Sequence, residues 1–149
     1  MPKHVLTRKS KYTARQMFDM AADVAQYSKF LPLVDESETY DYGNDDKGVS
    51  RFKGRLLVKK DSLKIRETFI SDVVADENAL TIISTASNGP VKKLVNAWKF
   101  TDLPQGGSQS ELVLEYEVKN LAMRLMISAS SGILMDKLTE AFEKRADEL

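Results

Sequence analysis

From Phe52 to Val118 the side chains change character at every second position, run after run. Phe52, Gly54, Leu56 and Val58 alternate with Lys53, Arg55, Leu57 and Lys59. Leu63, Ile65, Glu67 and Phe69 alternate with Lys64, Arg66, Thr68 and Ile70, and Leu112, Leu114, Tyr116 and Val118 alternate with Val113, Glu115, Glu117 and Lys119. A period of two describes strands with one dry face and one wet face, the habit of antiparallel sheets. Asn78 to Ser87 and Lys92 to Thr101 supply two more strands, and Val34 to Tyr42 a less clearly patterned one. There is no β-α-β alternation, which argues against a doubly wound parallel sheet.

The chain ends carry other periods. His4 to Tyr12 reads as a first strand. Thr13-Ala14-Arg15-Gln16 fits a capping box, and Met17, Phe18, Met20, Ala21 and Val24 follow at helical spacing. A second short helical turn is predicted over Ala25 to Phe30, stopped by Pro32. Ala122 to Leu149 returns to a helical period, with Met123, Ile127, Leu134, Leu138, Ala141 and Phe142 on one stripe. Turn chemistry punctuates the strands at Gly43 to Gly48, Asp61-Ser62, Asn88-Gly89-Pro90 and Pro104 to Ser108. The expected fold is α+β: a curved antiparallel sheet of six to seven strands wrapped around a long C-terminal helix, with two short helices after the first strand.

Composition removes several function classes. The 149 residues suit one domain, spanning 1–149. Lys plus Arg equals Asp plus Glu at 22 each, whereas a general nucleic-acid binder is strongly basic. With no cysteine and one histidine, His4, the chain offers no zinc-thiolate site, thiol nucleophile or histidine-rich metal site, and no metal is expected. Met1 to Ser10 lacks an apolar run of signal-peptide length, and no stretch reaches 18 apolar residues, so the expected compartment is the cytoplasm.

The predicted shape has a geometric consequence. A helix is about 10 Å wide, and six or seven strands at about 4.8 Å each are far broader. Side chains fill the difference, or a cavity remains. An unfilled void of a few hundred Å³ costs several kcal/mol at roughly 24 cal/mol per Å³, against a total stability of about 5–15 kcal/mol. Such a space is expected to hold a ligand or water, or to shrink by helix movement.

Several residues bear on that space. Glu67 shares parity with Leu63, Ile65 and Phe69, Asn96 with Leu94, Trp98 and Phe100, and Tyr116 with Leu112, Leu114 and Val118. A buried carboxylate needs a partner or a proton. Glu67 therefore marks a polar spot in a cavity, or is turned outward by a bulge, or is paired with an arginine. Trp98 and Tyr116 serve as core or as lining. Ser130 lies in a small-residue patch, Ser128 to Gly132, which suits either close helix–sheet packing or a place where the helix thins. Lys53, Arg55 and Lys59 share one face of a strand, and Lys64 and Arg66 one face of the next. They form a solvated outer face, or a basic contact face for RNA phosphates or an anionic membrane.

Motifs extend this reading. Met17-Phe18-Asp19-Met20, Ala22-Asp23-Val24-Ala25 and Tyr27-Ser28-Lys29-Phe30-Leu31-Pro32 together resemble the coenzyme Q-binding START-like family of the polyketide cyclase/START superfamily, which also contains ribosome association toxins. Glu67 to Ser71 resembles that family's central strand, Gly89-Pro90-Val91-Lys92-Lys93-Leu94 leading to Trp98-Lys99-Phe100 its "G-P-[FV]-[KR]-x-L…W-x-F" segment, and Ala141 to Ala146 its helix ending. The resemblance covers nearly the whole chain. Relatives often carry Trp-Cys after Phe-Leu-Pro, where this chain has Leu33-Val34, an apolar replacement of different shape.

The resemblance implies a helix-grip fold with a hydrophobic tunnel for a polyisoprenoid quinone such as ubiquinone, and no catalytic residue set comes with it. Phe30, Leu31 and Pro32 would form a lip, because proline fixes the direction in which the chain leaves the helix. The tail would lie among apolar residues including Leu56, Ile65, Phe69, Phe100, Ile127, Leu134 and Leu138, beside Trp98 and Ser130, with the head group near Glu67, Asn96 or Tyr116. The leading reading is a non-enzymatic lipid carrier that needs no cofactor and works in the cytoplasm or at the periphery of the inner membrane. One rival is a protein that binds the ribosome and hinders subunit joining. The other is a cyclase-like enzyme on a small aromatic substrate, for which Glu67 is the titratable candidate.

Overall fold

A computed structural model describes residues 3–31, 34–44, 47–60, 64–87, 91–118, 137 and 140–148, with residues 60 and 65 described by backbone alone. Seven strands form one antiparallel sheet: β1 (Lys3–Ser10), β2 (Val34–Asn44), β3 (Val49–Lys60), β4 (Ile65–Asp76), β5 (Thr81–Ala86), β6 (Val91–Asp102) and β7 (Ser108–Val118). Their spatial order is β1-β7-β6-β5-β4-β3-β2, so β2 to β7 is a meander and β1 joins it beside β7. Between β1 and β2 lie α1 (Ala14–Ala22) and a 3₁₀ helix (Val24–Lys29). Residues 140–148 are helical and are called α2. The earlier part of the expected C-terminal helix, with Met123, Ile127, Ser130, Leu134 and Leu138, falls outside the described residues, as do Pro32, Leu33 and Asn88-Gly89-Pro90.

Local chemistry fixes where the elements begin. The Thr13 hydroxyl accepts the Gln16 amide at 3.1 Å and the Gln16 side chain accepts the Thr13 amide at 2.9 Å, the reciprocal cap expected at α1. The Asp102 carboxylate accepts the Ala14 amide at 2.9 Å and ties the start of α1 to the end of β6. Strand β5 begins at Thr81, not at Asn78. Asp76 accepts the amides of Asn78 and Ala79 at 3.0 and 3.1 Å and holds them in a turn. Gly107 has φ +75°, and a Cβ there would lie 2.3 Å from the Ser10 carbonyl oxygen.

The inner face of the sheet carries two separate clusters of buried side chains. The larger joins α1 and α2 to the sheet through Met17, Phe18, Phe52, Val73, Phe100 and Phe142. The smaller consists of Ala86, Val91, Tyr116 and Val118, with Phe69, Leu94 and Leu114 packed against it. The 3₁₀ helix is pinned by Ser37 of β2, whose hydroxyl accepts the Ser28 amide at 2.9 Å and donates to the Ala25 carbonyl at 2.8 Å. Gly54 gives that helix room: a Cβ there would stand 3.3 Å from Val24 Cγ1. The outer edge of the sheet, β2, is interrupted by register shifts at Val34/Glu36 and Tyr40/Gly43 and exposes Asp35, Glu36, Glu38 and Asp41.

Candidate functional site

The two clusters leave a gap between them, and the gap is a cavity of about 300 Å³. One end is lined by Val24, Tyr27, Leu31, Ile82, Trp98 and Phe142, which belong to or pack on the larger cluster; the other by Phe69, Val91, Leu94, Leu114, Tyr116 and Val118 of the smaller. No charged side chain occurs among the described lining residues.

The boundary between the two ends is polar. On three adjacent strands, the inner-face position between the clusters holds a polar residue: Ser71 between Phe69 and Val73 on β4, Ser84 between Ile82 and Ala86 on β5, and Asn96 between Leu94 and Trp98 on β6. Ser84 stands directly opposite Asn96. Ser71 pairs with Ala86 and is therefore the diagonal neighbour of Ser84. None of the three side chains has a hydrogen-bond partner among the described residues.

The two lining tyrosines are engaged. Tyr116 is hydrogen-bonded to His4 Nε2 at 3.2 Å, their rings stacked at 5.6 Å. Tyr27 donates its hydroxyl to the Ala21 carbonyl. Enclosure by protein, and secondarily the negative charge of Asp23, push the Tyr27 phenol well above its ordinary range.

An aromatic knot closes the Tyr27 end. The Phe142 ring stands edge-to-face with Tyr27, Phe30 and Trp98 at centroid distances of 5.5, 5.2 and 5.3 Å, and the Arg145 guanidinium lies 5.5 Å from the Phe30 centroid. Helix α2 is fastened to β1 by Arg8, which reaches both Glu143 oxygens at 2.8 and 3.3 Å. Asp147 pairs with Lys11 at 3.4 Å and accepts the Tyr12 hydroxyl. Those contacts, the Tyr12 bond first, hold the Asp147 carboxyl below its ordinary value.

A family described as polyketide cyclase / dehydrase and lipid transport matches residues 10–143. The chain belongs to this family. It is 29% identical to the ribosome association toxin RatA of Escherichia coli (strain K12), over all of this chain and 89% of that protein. It is likewise 29% identical to the mitochondrial coenzyme Q-binding protein COQ10 of Dictyostelium discoideum, over 97% of this chain and 68% of that one. The solution structure of the 18 kDa protein CC1736 from Caulobacter crescentus superposes with a TM-score of 0.83 at 30% identity, covering 99% of this chain and 97% of that one. The START-like resemblance read from the motifs is thus borne out, as is the antiparallel sheet with its C-terminal helix.

The residues singled out from sequence divide into groups. Leu31, Leu56, Phe69, Asn96, Trp98 and Tyr116 line the cavity together. Phe100 is on the same face but lies 3% exposed in the larger cluster, edge-to-face with Phe18 at 6.4 Å, so α1 covers it. Phe30 packs behind Phe142 and not on the lining. Glu67 keeps inner-face parity, because the β3–β4 register runs unbroken from Val49↔Asp76 to Lys60↔Ile65; the bulge considered above does not occur. It is half-buried opposite Val58, outside the described lining. The side chain of Ile65, and all of Pro32, Ile127, Ser130, Leu134 and Leu138, lie outside what is described.

The basic face is partly neutralised. Lys53 pairs with Asp72, and Arg55 lies 3.5 Å from both Glu36 and Glu38. Lys59 faces Arg66 across the β3–β4 pair, and Lys64 is exposed beside them at φ 55°. Among the described residues no group of three or more acidic, His or Cys side chains is placed to hold a metal, and no helix is long and apolar enough to cross a membrane. Ser71, Ser84, Tyr27 and Val24 also line the cavity, although the sequence reading does not place them among the expected lining residues. The signal for the two serines is present, since each has apolar residues two positions before and after it.

Proposed function

We propose that this protein binds a polyisoprenoid quinone or a kindred hydrophobic molecule in the cavity, as a carrier or chaperone without chemistry of its own. The whole chain would serve as one START-like lipid-binding domain. The observation that carries this reading is the apolar-walled space of about 300 Å³ between the two core clusters. Its size is that of an ordinary small-molecule site. Left dry and empty, it would cost on the order of 7 kcal/mol at about 24 cal/mol per Å³, a large share of a typical domain's stability of about 5–15 kcal/mol. Each isoprenoid CH₂ buried there contributes about 0.8 kcal/mol. The likeness to a coenzyme Q-binding protein over nearly the whole chain supports a quinone as cargo. Exchange would take place in the cytoplasm, with transient contact at a membrane surface.

The test is organic extraction of the purified protein with mass spectrometry, together with titration of added ubiquinone analogue. Trp98, the single tryptophan, lines the cavity, and its fluorescence reports occupancy. Absence of lipid from repeated preparations, with no change in Trp98 emission and no quinone uptake, would overturn the reading.

A second reading is supported by the likeness to ribosome association toxins over the full chain: the outer face binds the ribosome and hinders subunit joining. Charge reversal at Lys53, Arg55 and Arg66 is then expected to abolish ribosome co-sedimentation and leave quinone binding intact. The cyclase-like reading draws less support, since the acid proposed for it, Glu67, is not among the described lining residues.

A further inference from the structure

We infer that the cavity selects an uncharged molecule that carries an oxygen acceptor partway along its apolar body, held at the Ser71–Ser84–Asn96 row, and that it rejects anionic lipids. This inference rests on the reading of the cavity as a ligand site and adds the chemical class and the anchoring atoms.

The first support is charge. A carboxylate or phosphate taken from water must find a cation or several donors, because an isolated buried anion is very costly. The described lining offers no Lys, Arg or His. The nearest acidic side chain on the same strand face, Glu67, is two residues before the lining residue Phe69, and its charge adds to the penalty for an anion. A neutral molecule meets neither obstacle.

The second support is the polar row. The hydroxyls of Tyr27 and Tyr116 already have protein partners, whereas Ser71, Ser84 and Asn96 have none among the described residues. Each serine has one O–H to donate and the amide has two N–H. Asn96 and Ser84 are direct cross-strand neighbours, close enough for both to donate to one acceptor oxygen. Polar groups removed from water are ordinarily hydrogen-bonded, so a ligand that fills the space without an acceptor there would leave all three unmatched.

The third support is position. The row has apolar wall on both sides on each of three strands. An acceptor on a ring placed at the row sends an alkyl tail into one apolar end and turns the ring's own hydrocarbon edge toward the other. A ring ketone or a carbonyl with apolar groups on both sides fits the pattern.

Three probes of matched size separate the possibilities: 2-decyl-1,4-benzoquinone, decylbenzene, which lacks the carbonyls, and 4-decylbenzoate, an anion at neutral pH. Affinities are read by isothermal titration calorimetry. The quinone is expected to bind about tenfold or more tighter than decylbenzene, the scale of one or two matched hydrogen bonds, and 4-decylbenzoate more weakly than either. Ser84→Ala and Asn96→Leu are expected to weaken the quinone roughly fivefold or more while leaving decylbenzene within about twofold. Ser84→Ala is the conservative variant should Asn96→Leu fold poorly. Benzoate binding as tight as quinone binding, or a quinone-to-decylbenzene ratio unmoved by Ser84→Ala, overturns the inference while leaving the cavity a ligand site. Failure of all three probes to bind overturns that underlying reading, and the inference with it.

Discussion

The rings of Phe142 and Trp98 stand at 74° with centroids 5.3 Å apart, and this contact fixes helix α2 to the cavity wall. Phe142 is 5% exposed and touches Tyr27 and Phe30 as well. Truncation to alanine removes all three ring contacts at once, and Phe→Ala in a core costs about 3–5 kcal/mol. Phe142→Ala is therefore expected to lower the urea midpoint sharply and to shift Trp98 emission to the red as water reaches the indole. Unchanged emission would show that Phe142 does not seal this end.

The Arg8–Glu143 pair holds the same helix from the other side, but both side chains are one-third exposed. Solvent screening limits such a pair to about 0.2–1 kcal/mol, even with the two-point geometry seen here. A double-mutant cycle with Arg8→Met and Glu143→Gln is expected to give a coupling in that range, shrinking in molar salt. A coupling several times larger would mean that the clasp carries more of the helix attachment than Phe142 does.

Gly106 and Gly107 offer a controlled comparison. Both have positive φ, +100° and +75°, so both alanine variants bear backbone strain of about 1 kcal/mol or more. Only at Gly107 does the new Cβ meet an obstacle, the Ser10 carbonyl oxygen at 2.3 Å; at Gly106 nothing lies within 4 Å. Gly107→Ala is expected to destabilise clearly more than Gly106→Ala in chemical denaturation, by displacing the β6–β7 turn from β1. Equal losses would refute the steric account.

Tyr27 makes stability depend on alkaline pH. Its phenol is raised in the folded state, first by enclosure and then by Asp23. A raised folded value means that the contribution is complete below the unfolded value of about 10 and is lost as pH rises through the folded one. The melting temperature should fall above about pH 10, and the fall should be shallower in Tyr27→Phe. That variant should also be weaker near neutrality by about 0.5–1.5 kcal/mol, through loss of the bond to the Ala21 carbonyl. Parallel pH profiles for the two proteins would contradict this.

Much of the framework is legible residue by residue. The Thr13–Gln16 box caps α1 as its spacing indicates, and Phe52 and Leu56 lie on the inner face that their parity assigns. Parity alone does not distinguish the regions of that face. Phe100 and Asn96 share it, yet α1 covers Phe100 while Asn96 opens on the cavity. Nor can a single strand show that Ser71, Ser84 and Asn96 are neighbours, since their proximity comes from the register of three pairings. Asp76 shortened β5 for a related reason: a carboxylate capping two amides outweighs the strand pattern of Asn78 and Ala79.

The interrupted rim at β2 has a consequence for crowded solutions. A free strand edge is a template onto which another chain can zip. Here the ladder is broken twice, and four acidic side chains stand along it. A second molecule approaching this border would meet a crooked line of donors and its own like charges. Lateral growth from the β2 border is disfavoured.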